Sequence, residues 1–249
     1  MKFKKSMLVA AIGLAVLAGT AHAQPQSGPF NLEMSGTITA EIPTWSFSQT
    51  AAAISVGALS NGQATVDGTN LTWTDPAVFR DKEYLVGHLS GEMATGLESQ
   101  AYSPKVQVAG QLMNAYVVNV NATVYDANSP AGMMTDIGEI QLTLSQTLAT
   151  RFIYGDTSED YQVHTGGDTN GMETALTVLN SIPKSYPESP VGTPQTTTWQ
   201  SHLDYLWFAS YKSVTQARVY SVQKANLVIR NSANAESWKA TLPIIITYA

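Results

Sequence analysis

Period-two alternation constrains this chain more than any other feature of its sequence. From Phe30 to Ile42 every even position is apolar or Gly and every odd one is polar, over 13 residues without a break. Successive side chains on a strand point to opposite faces, so such a run describes a strand with one buried face. Shorter alternating runs occur at Ala64–Trp73, Lys105–Val108, Ala115–Tyr125, Glu139–Leu144 and Thr215–Arg230. Asn61-Gly62, Asp67-Gly68, Asn128-Ser129-Pro130 and Asn231-Ser232 punctuate them as turns. Many short strands at this spacing predict an all-β antiparallel sandwich, not alternating βα units. Trp45, Trp73 and Trp238 fall on the apolar phase of their strands and are expected in the core.

The stretch from about Arg151 to Trp199 breaks the pattern. It holds Gly155, Gly166-Gly167, Gly171 and the prolines Pro183, Pro187, Pro190 and Pro194, with a short helix expected over Gly171–Asn180. A structureless segment of this length inside a domain is uncommon and often functional, so it reads as an excursion from the sandwich.

Residues 1–23 are expected to be removed. Lys2, Lys4 and Lys5 form a positive n-region, Met7–Ala18 an apolar core, and Ala21-His22-Ala23 a cleavage site, so the mature chain would begin at Gln24. About a dozen apolar residues are too few for the ~20 that a membrane-spanning helix needs. Loss of three lysines leaves ten basic residues against 19 acidic ones in the mature chain. That balance argues against nucleic acid as a partner, because such proteins carry basic surfaces. The sequence contains no cysteine, which removes disulfides, thiolate metal sites and a cysteine nucleophile from consideration.

The C-terminus alternates again. In Trp238-Lys239-Ala240-Thr241-Leu242-Pro243-Ile244-Ile245-Ile246-Thr247-Tyr248-Ala249 the even positions are apolar, and the run ends on a penultimate tyrosine. A strand that ends flush with the chain exposes unpaired N–H and C=O groups unless another strand covers it. Pro243, on the odd face, removes one ladder donor and is expected at a bulge or an edge.

Both ends resemble the chaperone–usher fimbrial subunits of the FaeG-like (kappa class) family, which also lack cysteines. The residues that carry the resemblance are Gly28-Pro29-Phe30-Asn31, Ser35-Gly36-Thr37-Ile38-Thr39-Ala40 and Trp45, then Trp238-x-Ala240 and Ile246-Thr247-Tyr248, with Phe152-Ile153-Tyr154-Gly155 as a further anchor. The resemblance implies an incomplete immunoglobulin-like sandwich completed by a donor strand. A periplasmic fimbrial chaperone would first lend that strand beside Trp238, Ala240, Leu242, Ile244, Ile246 and Tyr248. At the outer-membrane usher, the N-terminal extension of a neighbouring subunit would replace it. Residues 24–35 would be that extension, filling pockets with Phe30, Leu32 and Met34, and residues 36–249 the subunit body. A one-residue slip would put Asn31 and Glu33 into the core, so the register is strongly specified. The implied destination is the cell surface, in a fimbrium.

The chain departs from the family pattern at Glu236, where many such subunits carry glycine, and at Pro25 and Pro43. In the kappa class the major subunit is itself the adhesin and binds through an inserted region. By that analogy Tyr154, Tyr161, His164 and Trp199 are candidate contacts to host glycoconjugates, since aromatic faces beside polar groups suit sugars. A stand-alone secreted β-sandwich lectin is the alternative reading.

Nothing in the sequence predicts an enzyme, a cofactor or a metal. Ser201-His202-x-Asp204 holds triad residue types, but strand neighbours point to opposite faces and triads assemble from distant segments. Gly87-His88-Leu89-Ser90-Gly91 is no nucleophile elbow. Asp156, Glu159, Asp160, Asp168, Asn170 and Glu173 do not have the spacing of a calcium loop and read as a solvated acidic surface.

Overall fold

The computed structural model describes residues 44–50, 54, 58–94, 104–130, 133–154, 160–197, 211–230 and 237–247. By compactness the chain divides into Met1–Ala40, which lies outside the described residues, and Glu41–Ala249. The second unit is an antiparallel all-β sandwich with one short helix. In chain order its strands are β1 (Trp45–Gln49), β2 (Thr65–Asp67), β3 (Asn70–Thr74), β4 (Lys82–Leu89), β5 (Met93–Ala94), β6 (Lys105–Val108) and β7 (Gln111–Leu112). They continue as β8 (Val117–Asp126), β9 (Asp136–Tyr154) and β10 (Gln162–Gly167), then helix α1 (Met172–Ser181). β11 (Gln195–Thr196), β12 (Tyr211–Arg230), β13 (Trp238–Ala240) and β14 (Ile244–Thr247) complete the order.

The spine is the ladder between β9 and β12, of 19 and 20 residues, registered from Gly138↔Ile229 to Tyr154↔Tyr211. At ~3.3 Å per residue each strand is about 60 Å long. At the Gly138 end β12 is flanked by β3 and β2, and β9 by β8 and β13. At the Tyr154 end β12 is flanked by β4 and β1, and β9 by β10 and β11. β5 also pairs β12 there, at Ser213 and Val214. A second sheet of three strands, in the order β14-β6-β7, covers one face of the Gly138 end.

The burial pattern of β9 explains its sequence. Over Gly138–Leu144 burial alternates and Ile140, Leu142 and Leu144 pack with Val106, Val108, Val120, Val124 and Leu227. From Ser145 to Ile153 every residue is buried, because both faces of the Tyr154 end are covered. α1 lies on the odd face, pressing Ala175 and Leu179, one helical turn apart, against Ala149, Ala217 and Val219. Trp45, Leu89, Phe152 and Val214 cluster on the even face. The polar residues in this doubly covered stretch pair with one another: Ser145 with Ser221 at 3.1 Å and with Asp168 at 2.6 Å, and Gln216 with Thr150 at 3.1 Å.

The turns obey local chemistry. β2 and β3 are joined by the two-residue loop Gly68-Thr69, with Gly68 at φ +57°, a left-handed conformation that glycine adopts without steric cost. α1 ends at Ser181, and its C-cap Ile182 is extended directly before Pro183, as a residue preceding proline is pushed out of helical geometry.

The excursion differs from the loop with a short helix expected between Arg151 and Trp199. Arg151–Tyr154 are the last residues of β9. Beyond them, β10, α1 and β11 form a strand–helix–strand unit in which the two strands run parallel. Gly192 N–H donates to Tyr161 O at 2.8 Å and Tyr161 N–H to Pro190 O at 2.9 Å beside that pair. The helix occupies Met172–Ser181, where Gly171–Asn180 was expected. Trp45 and Trp73 are buried and Trp238 is half-buried against the core. The alternating run Phe30–Ile42 lies outside the described residues.

Candidate assembly edge and the anchored excursion

The C-terminal segment keeps its expected phase. Trp238, Ala240, Leu242, Ile244 and Ile246 turn inward and pack against the core, while Lys239, Thr241, Pro243, Ile245 and Thr247 are exposed. Trp238 sits 5.9 Å from Phe79 between ring centroids. The segment changes sheets midway. β13 pairs β8 in the large sheet, Trp238↔Asp126 to Ala240↔Val124, and β14 pairs β6 in the small one, Ile244↔Val108 to Thr247↔Lys105. Pro243 stands at the crossing, outside both ladders, where its missing donor costs nothing and its carbonyl accepts from Ala109 N–H at 2.9 Å.

Two properties set this segment apart as an exposed sheet edge. The inward residues are all only partly buried, so apolar area on Leu242, Ile244 and Ile246 is still open to a further neighbour. Beyond β6, β14 has no partner strand among the described residues, and its own Ile245 is 51% exposed. An edge with free backbone groups and an apolar row beneath it takes an added strand, with main-chain bonds giving affinity and alternate side chains giving register. Tyr248 and the proposed donor residues Phe30, Leu32 and Met34 lie outside the described residues.

Besides the β9–β10 ladder and the packing of α1, one buried carboxylate ties the excursion to the sheet. Glu92, between β4 and β5, accepts at Oε1 from Arg151 Nε (3.1 Å) and Nη2 (2.9 Å). Its Oε2 accepts from the Tyr161 hydroxyl (2.6 Å), the Ser213 hydroxyl (2.5 Å) and Ser185 N–H (2.8 Å). Arg151 spends its remaining donors on the carbonyls of Leu179 (3.2 Å), Ile182 (2.8 Å) and Pro183 (3.3 Å), tying the C-terminus of α1 to β9. Both side chains of the pair are almost fully buried, at 2% and 1% exposure. Burial alone would raise the Glu92 pKa. The hydrogen bonds from Ser213, Tyr161 and the Ser185 amide, with the charge of Arg151, outweigh it and hold the carboxyl below its ordinary value of 4.5. Burial, then the bond to Glu92, keeps the Tyr161 hydroxyl protonated far above its usual range.

Glu92, Arg151 and Ser213 lie in no motif of the sequence. The available signal was a lone charge in the apolar run Leu148–Ile153, since a charge in such a setting is buried and paired.

Tyr161 is corrected by this geometry. It is 1% exposed, its hydroxyl binds Glu92 and accepts from Tyr186 N–H at 3.1 Å, and its ring lies 5.3 Å from the Arg151 guanidinium carbon. It anchors the excursion and offers no surface to a receptor. Tyr154 is 50% exposed at the end of β9. His164, on β10, is half-buried with its ring edge-on to Phe152 at 5.0 Å. Trp199 lies outside the described residues, as do Ser201, His202 and Asp204. A groove of about 430 Å³ opens beside β10 and β11, lined by Gln162, Val163, Gly192, Thr193, Pro194 and Gln195. Among the described candidates, Tyr154, Tyr161 and His164 do not line it. Among the described residues no cluster of three or more His, Asp or Glu side chains is placed to hold a metal ion.

Neither the known protein-family models nor the curated proteins give a match to this chain.

Proposed function

We propose that the chain is a structural subunit of a bacterial surface fimbria, exported through the periplasm and polymerised by donor-strand exchange. The observation that supports this reading is the edge at β14: inward apolar residues half-covered, with no strand on the side away from β6 among the described residues. The N-terminal run supplies a matching strand. Phe30, Leu32 and Met34 alternate with polar residues in the phase such an edge accepts, and burying them contributes roughly 5–9 kcal/mol at ~1.5–3 kcal/mol each. Supplied in trans by a neighbouring subunit, residues 24–35 join one copy to the next; a periplasmic chaperone holds the edge until an outer-membrane usher exchanges the two. Adhesion to host glycans belongs to the same reading but rests on the family resemblance alone, as Tyr161 is buried and offers no surface.

Met34→Asp tests the placement of the donor strand. A carboxylate at a pocket-filling position carries a large desolvation cost. The variant is expected to remain soluble with its chaperone and to fail to enter polymer, read by the yield of surface fimbriae. Normal polymer from Met34→Asp would show that these residues are not the donor.

A further inference from the structure

Thr150 and Gln216 face each other directly across the β9–β12 ladder, and both are 0% exposed. The Gln216 side-chain nitrogen donates to Thr150 Oγ1 at 3.1 Å. On the other side of that amide, Arg218 Nε donates to Gln216 Oε1 at 2.8 Å. A guanidinium has only donors, so it fixes the carbonyl end of the amide on its own side and leaves the nitrogen toward Thr150. Arg218 is itself 4% exposed, with its guanidinium carbon 4.8 Å from the centre of the Trp45 ring. On the opposite flank, His164 of β10 is the register partner of Thr150. Its ring lies against Phe152, two residues along the same face of β9.

These four side chains supply the groups that acyl transfer requires. Thr150 brings a hydroxyl nucleophile and Gln216 an acyl carbon. Arg218 sits where negative charge would develop on the carbonyl oxygen, the arrangement that stabilises a tetrahedral intermediate. His164 brings an imidazole to the register position paired with Thr150, and burial lowers its pKa, so the neutral, proton-accepting form prevails at pH 7. Leu148, Phe152 and Val214 flank the pair and are buried, which keeps water from the acyl group and from any ester formed there.

We propose that Thr150 and Gln216 join in an intramolecular ester between β9 and β12, with release of ammonia. A rotamer shift at Gln216 χ1 and χ2 carries Cδ toward the hydroxyl while Oε1 keeps its bond to Arg218. Thr150 Oγ1 bonds to Gln216 Cδ as His164 accepts the hydroxyl proton. The tetrahedral intermediate carries its negative charge on Oε1, against Arg218. Collapse breaks the Cδ–Nε2 bond, and His164 returns the proton to the departing nitrogen, which leaves as ammonia. Hydroxyl and amide become ester and ammonia, with no oxidant, reductant or co-reactant. The product closes residues 151–215 into a covalent loop and fastens the two longest strands of the sandwich to each other. This inference does not depend on the fimbrial reading.

Mass spectrometry of the folded, leader-free protein tests it. After trypsin, residues 213–218 are expected to appear covalently joined to residues 106–151, at the summed mass less one ammonia. Hydroxylamine, which cleaves esters, should separate the two peptides. Thr150→Ser keeps a hydroxyl and should still link. Gln216→Glu preserves size and shape but has no ammonia to lose, so its peptides should be separate. In His164→Gln the linked pair is expected to accumulate about 100-fold more slowly or worse; an equal rate contradicts the assigned proton transfer. Unlinked peptides from wild-type protein with native circular dichroism overturn the proposal. An ammonia loss that maps to cyclisation of Gln24 at the new N-terminus, with residues 213–218 unlinked, overturns it equally.

Discussion

Replacing Glu92 with alanine is expected to lower the unfolding free energy by about 3–5 kcal/mol, the cost of leaving the other half of a buried ion pair without its partner. Arg151 would keep its three carbonyl acceptors but lose the only carboxylate in contact with it among the described residues. Tyr161, Ser213 and the Ser185 amide would lose their acceptor at the same stroke. The damage should concentrate in the excursion, so hydrogen exchange is expected to accelerate across α1 and β10 more than across β6 and β8. Arg151→Met in the Glu92→Ala background should recover part of the loss, because it removes the stranded charge. Urea unfolding of the two single variants and the double variant measures this directly, and simple additivity would contradict a coupled pair.

The same carboxylate gives a pH dependence of definite sign. Its folded-state pKa lies below the ordinary 4.5, so its contribution is fully present above about pH 4.5 and is lost as pH falls through the lower, folded value. Wild type should therefore approach Glu92→Gln in stability as the solution is acidified below pH 4.5. A gap that stays constant down to strong acid would mean that the folded pKa is not depressed.

Gly138→Ala is the second large effect. A Cβ built at Gly138 falls 1.9 Å from the Val228 carbonyl oxygen and 3.0 Å from Ile229 Cα. Both atoms belong to backbone, so no side chain can swing aside. Gly138 is paired on both flanks, to Ile229 of β12 and to Val124 of β8, so relief requires the spine to open there. Overpacking of this kind costs ~1–3 kcal/mol, and each ladder bond that opens adds about 0.5–1.5 kcal/mol. For a chain of this size that is a fall in Tm of about 2–4 °C per kcal/mol. Gly62→Ala is the control, since its Cβ would meet Ser60 Oγ at an ordinary 3.5 Å. Equal Tm values for the two variants would contradict this packing.

The elements legible in the sequence are those where one face meets the core and the other meets water. β6 occupies Lys105–Val108 as its alternation predicts, and the even phase of Trp238–Ile246 points inward as read. The far half of β9 was not legible for a physical reason. Between Ser145 and Ile153 both faces are buried, polar residues satisfy one another across strands, and alternation in polarity disappears although alternation in direction does not. That loss of signal is why Arg151 read as the start of a loop when it is a buried strand residue. Tyr161 read as a surface aromatic for a related reason: its burial depends on Glu92, 69 residues away, and no local pattern encodes that contact. The groove beside β10 and β11 was invisible because it is lined partly by the exposed Gln162 and Gln195, brought together only by a parallel pairing across α1.

An unboiled denaturing gel of the leader-free protein, co-expressed with a matching chaperone and usher beside a variant lacking Gln24–Ser35, tests the central claim most directly. Strand exchange predicts a ladder of detergent-resistant multimers from the full-length subunit and none from the truncated one. A stable monomer in both lanes would contradict it and identify a self-complete sandwich, the architecture of a stand-alone secreted lectin.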